Sequence, residues 1–211
     1  MTTTSNFSWE LFNKVPIIGI VRNIPMETVK KIAQAYVNAG LTTIEITMNT
    51  KDADKIISYL RTNFPELNVG AGTVCTTEDY DKAVKSGAQF IVTPIIDEIV
   101  IKKAVQQNIP IFPGAFTPTE IYKAWSLGAS AVKVFPATQL GATYIKDVLG
   151  PLNIIKLVPT GGVSKENIKS FFQAGATGVG MGSSLLNKKI IANNDFSALE
   201  TYFKSIVAEI Q

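Results

Sequence analysis

Short apolar segments alternate with amphipathic segments along nearly the whole chain of 211 residues. Short apolar segments have the length of buried strands and lie near residues 16–21, 44–46, 67–72, 90–92, 109–113, 132–134, 155–159 and 178–180. Apolar residues recur at helical spacing near residues 26–38, 51–64, 78–86, 98–107, 119–127, 144–149, 166–173 and 196–210. Eight strands that alternate with helices predict a parallel (β/α)₈ barrel, the TIM-barrel architecture, as one α/β domain over residues 1–211.

Local signals at the segment ends favour the same fold. Thr76, Thr117 and Ser164 are residue types that cap helix N-termini. We also expect an extra N-terminal helix that packs Trp9 and Phe12 on the barrel. The alternative is an open doubly wound sheet, but the chain lacks the G-x-G-x-x-G fingerprint that would support it. Four helical segments end at a glycine, the residue that most readily takes the left-handed conformation of a helix C-terminus: Gly40, Gly87, Gly128 and Gly175.

The charge of the chain points to a small-molecule partner. The formal net charge is +3, and the lysines and arginines are scattered without a basic run, which does not favour a nucleic-acid or membrane partner. The single cysteine, Cys75, cannot form an internal disulfide, in keeping with a reducing compartment. The polar N-terminus lacks the apolar core of a signal peptide, and no apolar run reaches membrane-spanning length. We therefore expect a cytoplasmic protein.

The chain contains no histidine. This excludes a histidine base, histidine-bound zinc, and the Ser–His and Cys–His nucleophile pairs. Acid–base chemistry must therefore use carboxyl, amine, phenol or thiol groups, or water.

Lys133 is a lone cation inside the apolar strand segment of residues 131–135. Such a lysine must lose its charge, find a carboxylate or reach water, and each outcome lowers the barrier to using its amine as a nucleophile. Glu45 alternates with Ile44 and Ile46, so that Glu45 on the second strand and Lys133 on the sixth both point into the barrel. Two structural alternatives are a lysine that reaches solvent from an edge strand and a buried ion pair without catalytic function.

Glycine-rich turns follow the seventh and eighth predicted strands, at residues 160–163 and 180–184. Barrel enzymes commonly bind phosphate at these two turns, through backbone N–H groups. Arg22 follows the first strand, which neighbours the eighth in a closed barrel. Arg22 is therefore either a further cation of this phosphate site or a solvated loop residue.

Seven motifs occur in an order that resembles the 2-keto-3-deoxy-6-phosphogluconate (KDPG) and 4-hydroxy-2-oxoglutarate (KHG) aldolase family, class I lyases on a (β/α)₈ barrel. The resemblance covers residues 15–186, nearly the whole chain. The matching motifs are Glu45-Ile46-Thr47, Gly70-Ala71-Gly72-Thr73-Val74, Thr93-Pro94, Pro113-Gly114, Lys133-Val134-Phe135-Pro136-Ala137, Thr160-Gly161-Gly162-Val163 and Gly182-Ser183.

The resemblance implies an aldehyde-lyase that cleaves KDPG to pyruvate and glyceraldehyde 3-phosphate, as in the Entner–Doudoroff pathway. KHG, which would give pyruvate and glyoxylate, is a further candidate substrate. No cofactor or metal is implied, because the covalent Schiff base forms on Lys133. Since the family members are similar trimers, the resemblance implies a homotrimer that binds a phosphorylated keto-deoxy sugar acid.

The resemblance also assigns functions to individual residues. Lys133 would be the Schiff-base lysine and Glu45 the carboxylate that transfers protons. The pyruvate portion of the substrate would be held by Thr73, Phe135, Pro94 and Asn49. The distal phosphate would be bound by Thr160, Gly161, Gly162, Ser183 and Arg22.

Asn49 departs from the family pattern, which reads Glu-x-Thr-x-Arg-Thr and uses the arginine to contact the substrate carboxylate. Asparagine donates hydrogen bonds but supplies no charge. Relatives that act on 2-keto-3-deoxy-6-phosphogalactonate (KDPGal) also have asparagine there, so KDPGal is an alternative substrate. Two other functions remain candidates: an isomerase or epimerase with Glu45 as its base, and a metabolite-binding protein that has lost turnover.

Overall fold

This computed structural model describes residues 7–211, whose strands are β1 (Ile17–Val21), β2 (Thr43–Thr47), β3 (Asn68–Gly72), β4 (Ile91–Val92), β5 (Ile111–Phe112), β6 (Gly114–Ala115), β7 (Val132–Val134), β8 (Leu157–Pro159) and β9 (Val179–Met181). Every pairing among them is parallel, in a six-stranded sheet of order β5-β4-β3-β2-β1-β9 and a three-stranded sheet of order β6-β7-β8. Pro113 joins β5 to β6 along the chain, and a bridge between Thr160 and Gly180 joins the ends of β8 and β9. The parallel, barrel-like α/β fold that the sequence predicts is confirmed.

Helices connect the strands: α1 (Trp9–Lys14), α2 (Met26–Asn38), α3 (Ala53–Asn63), α4 (Thr77–Lys85), α5 (Glu98–Gln106), α6 (Pro118–Ser126), α7 (Gly141–Leu149), α8 (Ile168–Gln173), α9 (Lys188–Ala192) and α10 (Phe196–Val207). The short helix α9 is absent from the sequence prediction. Within residues 7–211, none of the helices has both the length and the apolar character needed to cross a membrane.

Capping signals account for several helix ends. The glycines at positions 40, 87, 128 and 175 have φ between +81° and +98°, as predicted. At each of them the next N–H donates to a carbonyl five residues earlier, which ends the helix. The side chain of Thr76 caps α4, and Thr117 forms a capping box with Glu120 at the start of α6.

Two predicted boundaries are wrong. The fifth predicted strand, residues 109–113, is only the two residues of β5 in the structure, and pairing resumes in β6 after Pro113, which has no N–H to donate to a neighbouring strand. The helix expected after Ser164 begins only at Ile168. Asn167 bends the intervening segment, because its side chain accepts the Ser164 N–H at 2.8 Å and donates to a carbonyl in the preceding glycine turn at 2.8 Å.

The apolar core has two layers. The outer layer lies between sheet and helices and takes alternate strand residues, among them Ile44 and Ile46 of β2 and Val132 and Val134 of β7. The inner layer lies within the ring of strands and is built largely of aromatic side chains in edge-to-face and tilted contact. We call five of these residues the aromatic plug: Phe7, Trp9, Phe12, Phe90 and Phe112.

The aromatic plug fills the interior at the end where the strands begin. The Ser8 side chain caps α1 by accepting the Leu11 N–H at 3.2 Å. Asn68, the first residue of β3, bonds the backbone of Ser8 through both its amide oxygen and its amide nitrogen, each at 2.8 Å. Lys156, just before β8, lies 5.2 Å from the centroid of the Trp9 ring. The carboxyl ends of the strands are therefore the open end of the interior, where barrel enzymes have their active sites.

Candidate active site

Lys133 on β7 and Glu45 on β2 lie inside the ring of strands and interact electrostatically across it. The side chain of Lys133 is 5% exposed and that of Glu45 is 1% exposed. Among residues 7–211, no carboxylate lies within 4.0 Å of the Lys133 amine. The two groups therefore act on each other through space without being locked in an ion pair.

Burial shifts the pKa of both groups toward the neutral form. It lowers the pKa of the Lys133 amine, against the opposing charge of Glu45 and with a smaller lowering from Arg22. It raises the pKa of the Glu45 carboxyl, and the charges of Lys133 and Arg22 offset part of that rise. A lowered lysine pKa makes the nucleophilic amine more abundant, and a raised carboxyl pKa makes a stronger base.

Gly72, the last residue of β3, provides the space for the Glu45 carboxyl group. A Cβ at Gly72 would stand 2.7 Å from Glu45 Cδ and closer still to one carboxylate oxygen. The Glu45 side chain therefore rests directly on the backbone of β3, and any side chain at position 72 would displace it.

Three residues predicted to hold the pyruvate portion lie on or next to the strands around the amine. The ring centroid of Phe135 is 4.8 Å from Lys133 Nζ. Gly114 of β6 pairs with Lys133, and Pro94 packs closely against this glycine. A Cβ added to Gly114 would lie 2.9 Å from Pro94 Cα. Thr73 follows β3 with φ of +55°, a strained conformation for a β-branched residue. Strain of this kind is concentrated at functional sites.

Asn49 lies exposed in the turn after β2. That turn is anchored by Thr50, whose buried hydroxyl lies 3.0 Å from the Thr47 hydroxyl and accepts the Asn23 N–H at 3.0 Å. Because Asn23 follows Arg22, the turns after β1 and β2 are tied together. Asn49 and Arg22 are thus carried on two connected turns at the open end.

A cavity of about 960 Å³ opens at the carboxyl ends of β1, β7, β8 and β9, and we call it the open-end cavity. Phe135 lines it and also contacts the Lys133 amine, which connects the cavity with the buried pair. Six predicted site residues line the cavity: Arg22, Phe135, Thr160, Gly161, Gly162 and Ser183. The other five are not on its wall: Lys133, Glu45, Thr73, Pro94 and Asn49.

The turn after β8 requires glycine at two successive positions. Gly161 has φ of +92° and Gly162 has φ of +74°, and a Cβ on Gly162 would lie 2.7 Å from Thr138 Cα. Left-handed glycine turns leave backbone N–H groups free to face a ligand, which is how proteins cradle phosphate.

Sequence reasoning missed two groups near the site. Lys188, the first residue of α9, lines the open-end cavity five residues after Ser183, and reading further past the second glycine turn would have found it. Cys75 follows β3 and is partly buried, which raises the pKa of its thiol, while the charge of Lys133 acts in the opposite direction. No sequence signal marks Cys75, because only the pairing of strands brings it near Lys133.

The site assembles an amine, a carboxyl group, hydroxyls and backbone N–H groups. Within residues 7–211, no three Cys, Asp or Glu side chains come together as a metal site. The groups present can form a covalent bond with a carbonyl carbon, move a proton and bind an anion.

Comparison with known proteins finds close relatives over nearly the whole chain. Residues 10–202 match the family model described as KDPG and KHG aldolase. A 2-dehydro-3-deoxy-phosphogluconate aldolase of Haemophilus influenzae is 31% identical over 208 residues, 98% of each chain. A 2-dehydro-3-deoxy-6-phosphogalactonate aldolase of Escherichia coli K12 is 35% identical over 174 residues, 82% of this chain and 85% of that protein.

A solved structure extends the comparison to the fold. The KDPG aldolase of Legionella pneumophila, with pyruvate captured at low pH as a covalent carbinolamine intermediate, superposes with a TM-score of 0.86 at 26% identity. The match covers 93% of this chain and 96% of that one.

Proposed function

We propose a specific reaction from the premise that the chain belongs to the KDPG and KHG aldolase family and is therefore a carbon–carbon lyase. In this reaction the protein cleaves KDPG to pyruvate and glyceraldehyde 3-phosphate through a Schiff base on Lys133. One observation carries the proposal: a buried amine faces a buried carboxyl group beside a cavity with a glycine turn. KDPGal and KHG are the alternative substrates of the same chemistry.

The reaction begins when the neutral Lys133 amine attacks the C2 carbonyl carbon, and the carbinolamine then loses water to give a protonated imine. Glu45, directly or through a water molecule, takes the proton of the C4 hydroxyl as the C3–C4 bond breaks. The electron pair of that bond moves toward the imine and forms an enamine, and glyceraldehyde 3-phosphate leaves. The enamine then takes a proton at C3 from Glu45, and hydrolysis of the imine releases pyruvate.

The electrostatics of the site support this sequence of steps. Burial lowers the pKa of Lys133, which increases the fraction of neutral amine, and raises the pKa of Glu45, which suits a group that takes and returns protons. The covalent carbinolamine with pyruvate in the Legionella pneumophila structure supports the same first step on this chain.

The distal phosphate would be held at the rim of the open-end cavity. Gly161 and Gly162 would donate backbone N–H groups, Thr160 and Ser183 would donate hydroxyls, and Arg22 would add a charge. The phosphate would hold the far end of the substrate while C2 reaches Lys133, which is how binding energy remote from the reaction positions the reacting atoms.

Borohydride trapping tests the proposal. Reduction in the presence of pyruvate should add a stable mass to the peptide that contains Lys133, and Lys133→Ala should lose both the adduct and turnover. Lys156→Ala is the matched control, because it removes a lysine beside the aromatic plug at the opposite end of the same interior. Full activity in Lys133→Ala would refute the mechanism.

The same experiment separates the other candidate functions. An isomerase or epimerase that uses Glu45 as its base would turn over without a borohydride adduct. A metabolite-binding protein without turnover would release no pyruvate from any phosphorylated keto-deoxy acid.

The preferred substrate is decided by an assay in which lactate dehydrogenase reports pyruvate from KDPG, KDPGal and KHG in parallel. Relatives of both specificities, at 31% and 35% identity, support both epimers. Asn49 favours KDPGal by the family resemblance. A KDPGal rate well above the KDPG rate would overturn the proposed substrate without touching the mechanism.

We also infer a homotrimer that uses an apolar face formed by α5, α6 and the segments before them. Ile95, Ile99 and Tyr122 are at least half exposed there, and an ion pair of 2.8 Å between Glu98 and Lys123 holds the two helices together. Light scattering should give three times the chain mass. Ile99→Asp should reduce that mass, whereas Ile154→Asp, at an exposed position before β8, should not.

The remaining expectations are part of the same proposal. The strands would close into one (β/α)₈ barrel in a single domain over residues 1–211, the protein would work in the cytoplasm, and it would need no metal. Activity should therefore survive treatment with chelators.

A further inference from the structure

The wall of the open-end cavity carries two cations, Arg22 and Lys188, and no Asp or Glu of the described residues lines it. Neither cation has a carboxylate within 4.0 Å anywhere in residues 7–211. Unpaired cations in a concave site without acids attract anionic ligands. We propose that Lys188 is a second phosphate-binding cation and makes the protein prefer phosphorylated over unphosphorylated aldehydes. This proposal rests on the proposed aldolase function.

The two cations are carried by different segments of the cavity wall. Arg22 follows β1, and its charge acts on the pKa of both Glu45 and Lys133. Lys188 begins α9, after the second glycine turn, and lines the same cavity as Gly161, Gly162 and Ser183. A substrate bound to Lys133 through C2 has its phosphate at the opposite end of the molecule. The place of Lys188 on the wall that it shares with the glycine turns therefore matches the phosphate.

The start of α9 holds Lys188 at the cavity wall. Asn187 caps this helix, and its side-chain oxygen accepts the Lys189 N–H at 3.0 Å and the Ile190 N–H at 3.2 Å. Ile191, one turn further on, also lines the cavity. Leu186, two residues before Lys188, lines the cavity as well, so the backbone of Lys188 lies between two residues of the cavity wall.

The charge of a phosphate ester explains why one cation is insufficient. Such a group carries about −1.5 to −2 charges near neutral pH. Hydroxyls and backbone N–H groups bind it without neutralising it, and Arg22 alone supplies one positive charge. Lys188 brings the charge of the site into balance with a dianion, which an unphosphorylated aldehyde does not require.

Lys189 provides a matched control. It is the next residue, it is exposed, and within the described chain it too has no carboxylate within 4.0 Å, but it does not line the cavity. Replacing either lysine by alanine removes the same charge from the same helix. A general electrostatic effect would therefore be equal in the two variants, and an effect at the site would be confined to position 188.

The experiment measures synthesis from pyruvate with D-glyceraldehyde 3-phosphate and with D-glyceraldehyde. Lys188→Ala should lower the ratio of the two kcat/KM values by about tenfold or more, through KM for the phosphorylated aldehyde. Lys188→Arg should retain most of the ratio, and Lys189→Ala should leave it unchanged. Calorimetry with inorganic phosphate should show weaker binding in Lys188→Ala and unchanged binding in Lys189→Ala.

The outcomes separate this inference from the aldolase function itself. Borohydride trapping with pyruvate should be equal in all variants, because pyruvate has no phosphate. If trapping succeeds but Lys188→Ala leaves the ratio unchanged, or Lys189→Ala lowers it equally, the inference is wrong and the aldolase function stands. If trapping fails in the wild type while phosphate binding still depends on Lys188, the aldolase function is wrong and the cation site stands. Phosphate binding that is equal in both alanine variants would overturn the site.

Discussion

The two ends of the barrel interior are filled in opposite ways. Where the strands begin, the aromatic plug packs its rings with centroid separations of 4.9 to 6.2 Å. Where the strands finish, Lys133 and Glu45 lie buried below the open-end cavity. Burying rings stabilises the fold, whereas burying charged groups costs free energy and shifts their pKa values. Stability and reactivity are therefore supplied by different ends of one interior.

The boundary between the two ends lies within β3. A Cβ at Gly70 would meet the ring of Phe90 at 2.5 Å, whereas a Cβ at Gly72 would meet Glu45. The two glycines point to the same face and stand about 6.6 Å apart along the strand. One layer of side chains therefore separates the structural end of the interior from the reactive end.

Glu45→Gln should give the largest change and confine it to the reactive end. We expect kcat to fall by about 10²- to 10⁴-fold, because glutamine cannot take the C4 hydroxyl proton. Steady-state kinetics measure this, and borohydride trapping with pyruvate should still label Lys133. A kcat within threefold of the wild type would remove Glu45 from the mechanism.

Phe112→Ala should give the opposite result at the structural end. Phe112 is fully buried and contacts the four other rings of the plug, so its truncation should lower the free energy of unfolding by about 3–5 kcal/mol. Denaturant unfolding measures the loss, while kcat of the folded variant should stay within twofold. Ile154→Ala, at an exposed position before β8 and outside the proposed trimer face, is the control with little effect. A large loss of kcat without loss of stability would contradict the division between the ends.

Gly70→Ala and Gly72→Ala test the boundary itself. Each adds one methyl group to a packed interior and should cost about 1–3 kcal/mol of stability. Gly72→Ala should also lower kcat by about tenfold to a hundredfold, because it displaces the Glu45 carboxyl group. Kinetics and unfolding are measured on both variants. Adding Glu45→Asp to Gly72→Ala should recover part of kcat, since a shorter side chain leaves room for the methyl group; equal kinetic losses in the two glycine variants would argue against the boundary.

The pH dependence of stability should differ between the ends. The pKa of Glu45 is raised above its ordinary value of 4.5, so the folded state binds more protons than the unfolded state above that pH. The contribution of this raised pKa to the free energy of unfolding is fully present below pH 4.5 and is lost as the pH rises through the raised pKa. Unfolding free energies from pH 4 to 8 should therefore fall in the wild type relative to Glu45→Gln. Parallel curves would contradict the raised pKa.

Arg22→Gln should give the smallest effect. The charge of Arg22 contributes to the lowered pKa of Lys133, so its removal should raise that pKa. The rate of imine formation with pyruvate rises with pH as the amine loses its proton, and this profile should move to higher pH in the variant. Pyruvate has no phosphate, so phosphate binding does not enter the measurement. Lys189→Gln should leave the profile in place.

Much of the fold could be predicted from local patterns in the sequence. The Schellman-type glycines, the caps of α4 and α6 and the alternation around Glu45 depend on residues a few positions apart, and sequence spacing predicts such features well. The break at Pro113 and the late start of α8 were mispredicted, because they depend on a missing N–H and on an asparagine side chain within a turn.

The candidate site could be predicted from the sequence only in part. Lys133 and Glu45 stood out because a charged residue in an apolar strand is unusual. The space that Gly72 leaves for Glu45, the tie between Thr50 and Asn23, and the approach of Cys75 to Lys133 follow from strand pairing and packing. No spacing along the chain encodes those contacts.

The sequence by itself determined the order of strands and helices and the inward direction of Lys133 and Glu45, because strand alternation and helix capping act between near neighbours in the chain. The tertiary structure alone decided that Arg22, Lys188 and the glycine turn at residues 161–162 share one cavity. These groups lie far apart in sequence, and they meet because parallel strands bring all their carboxyl ends to one end of the molecule.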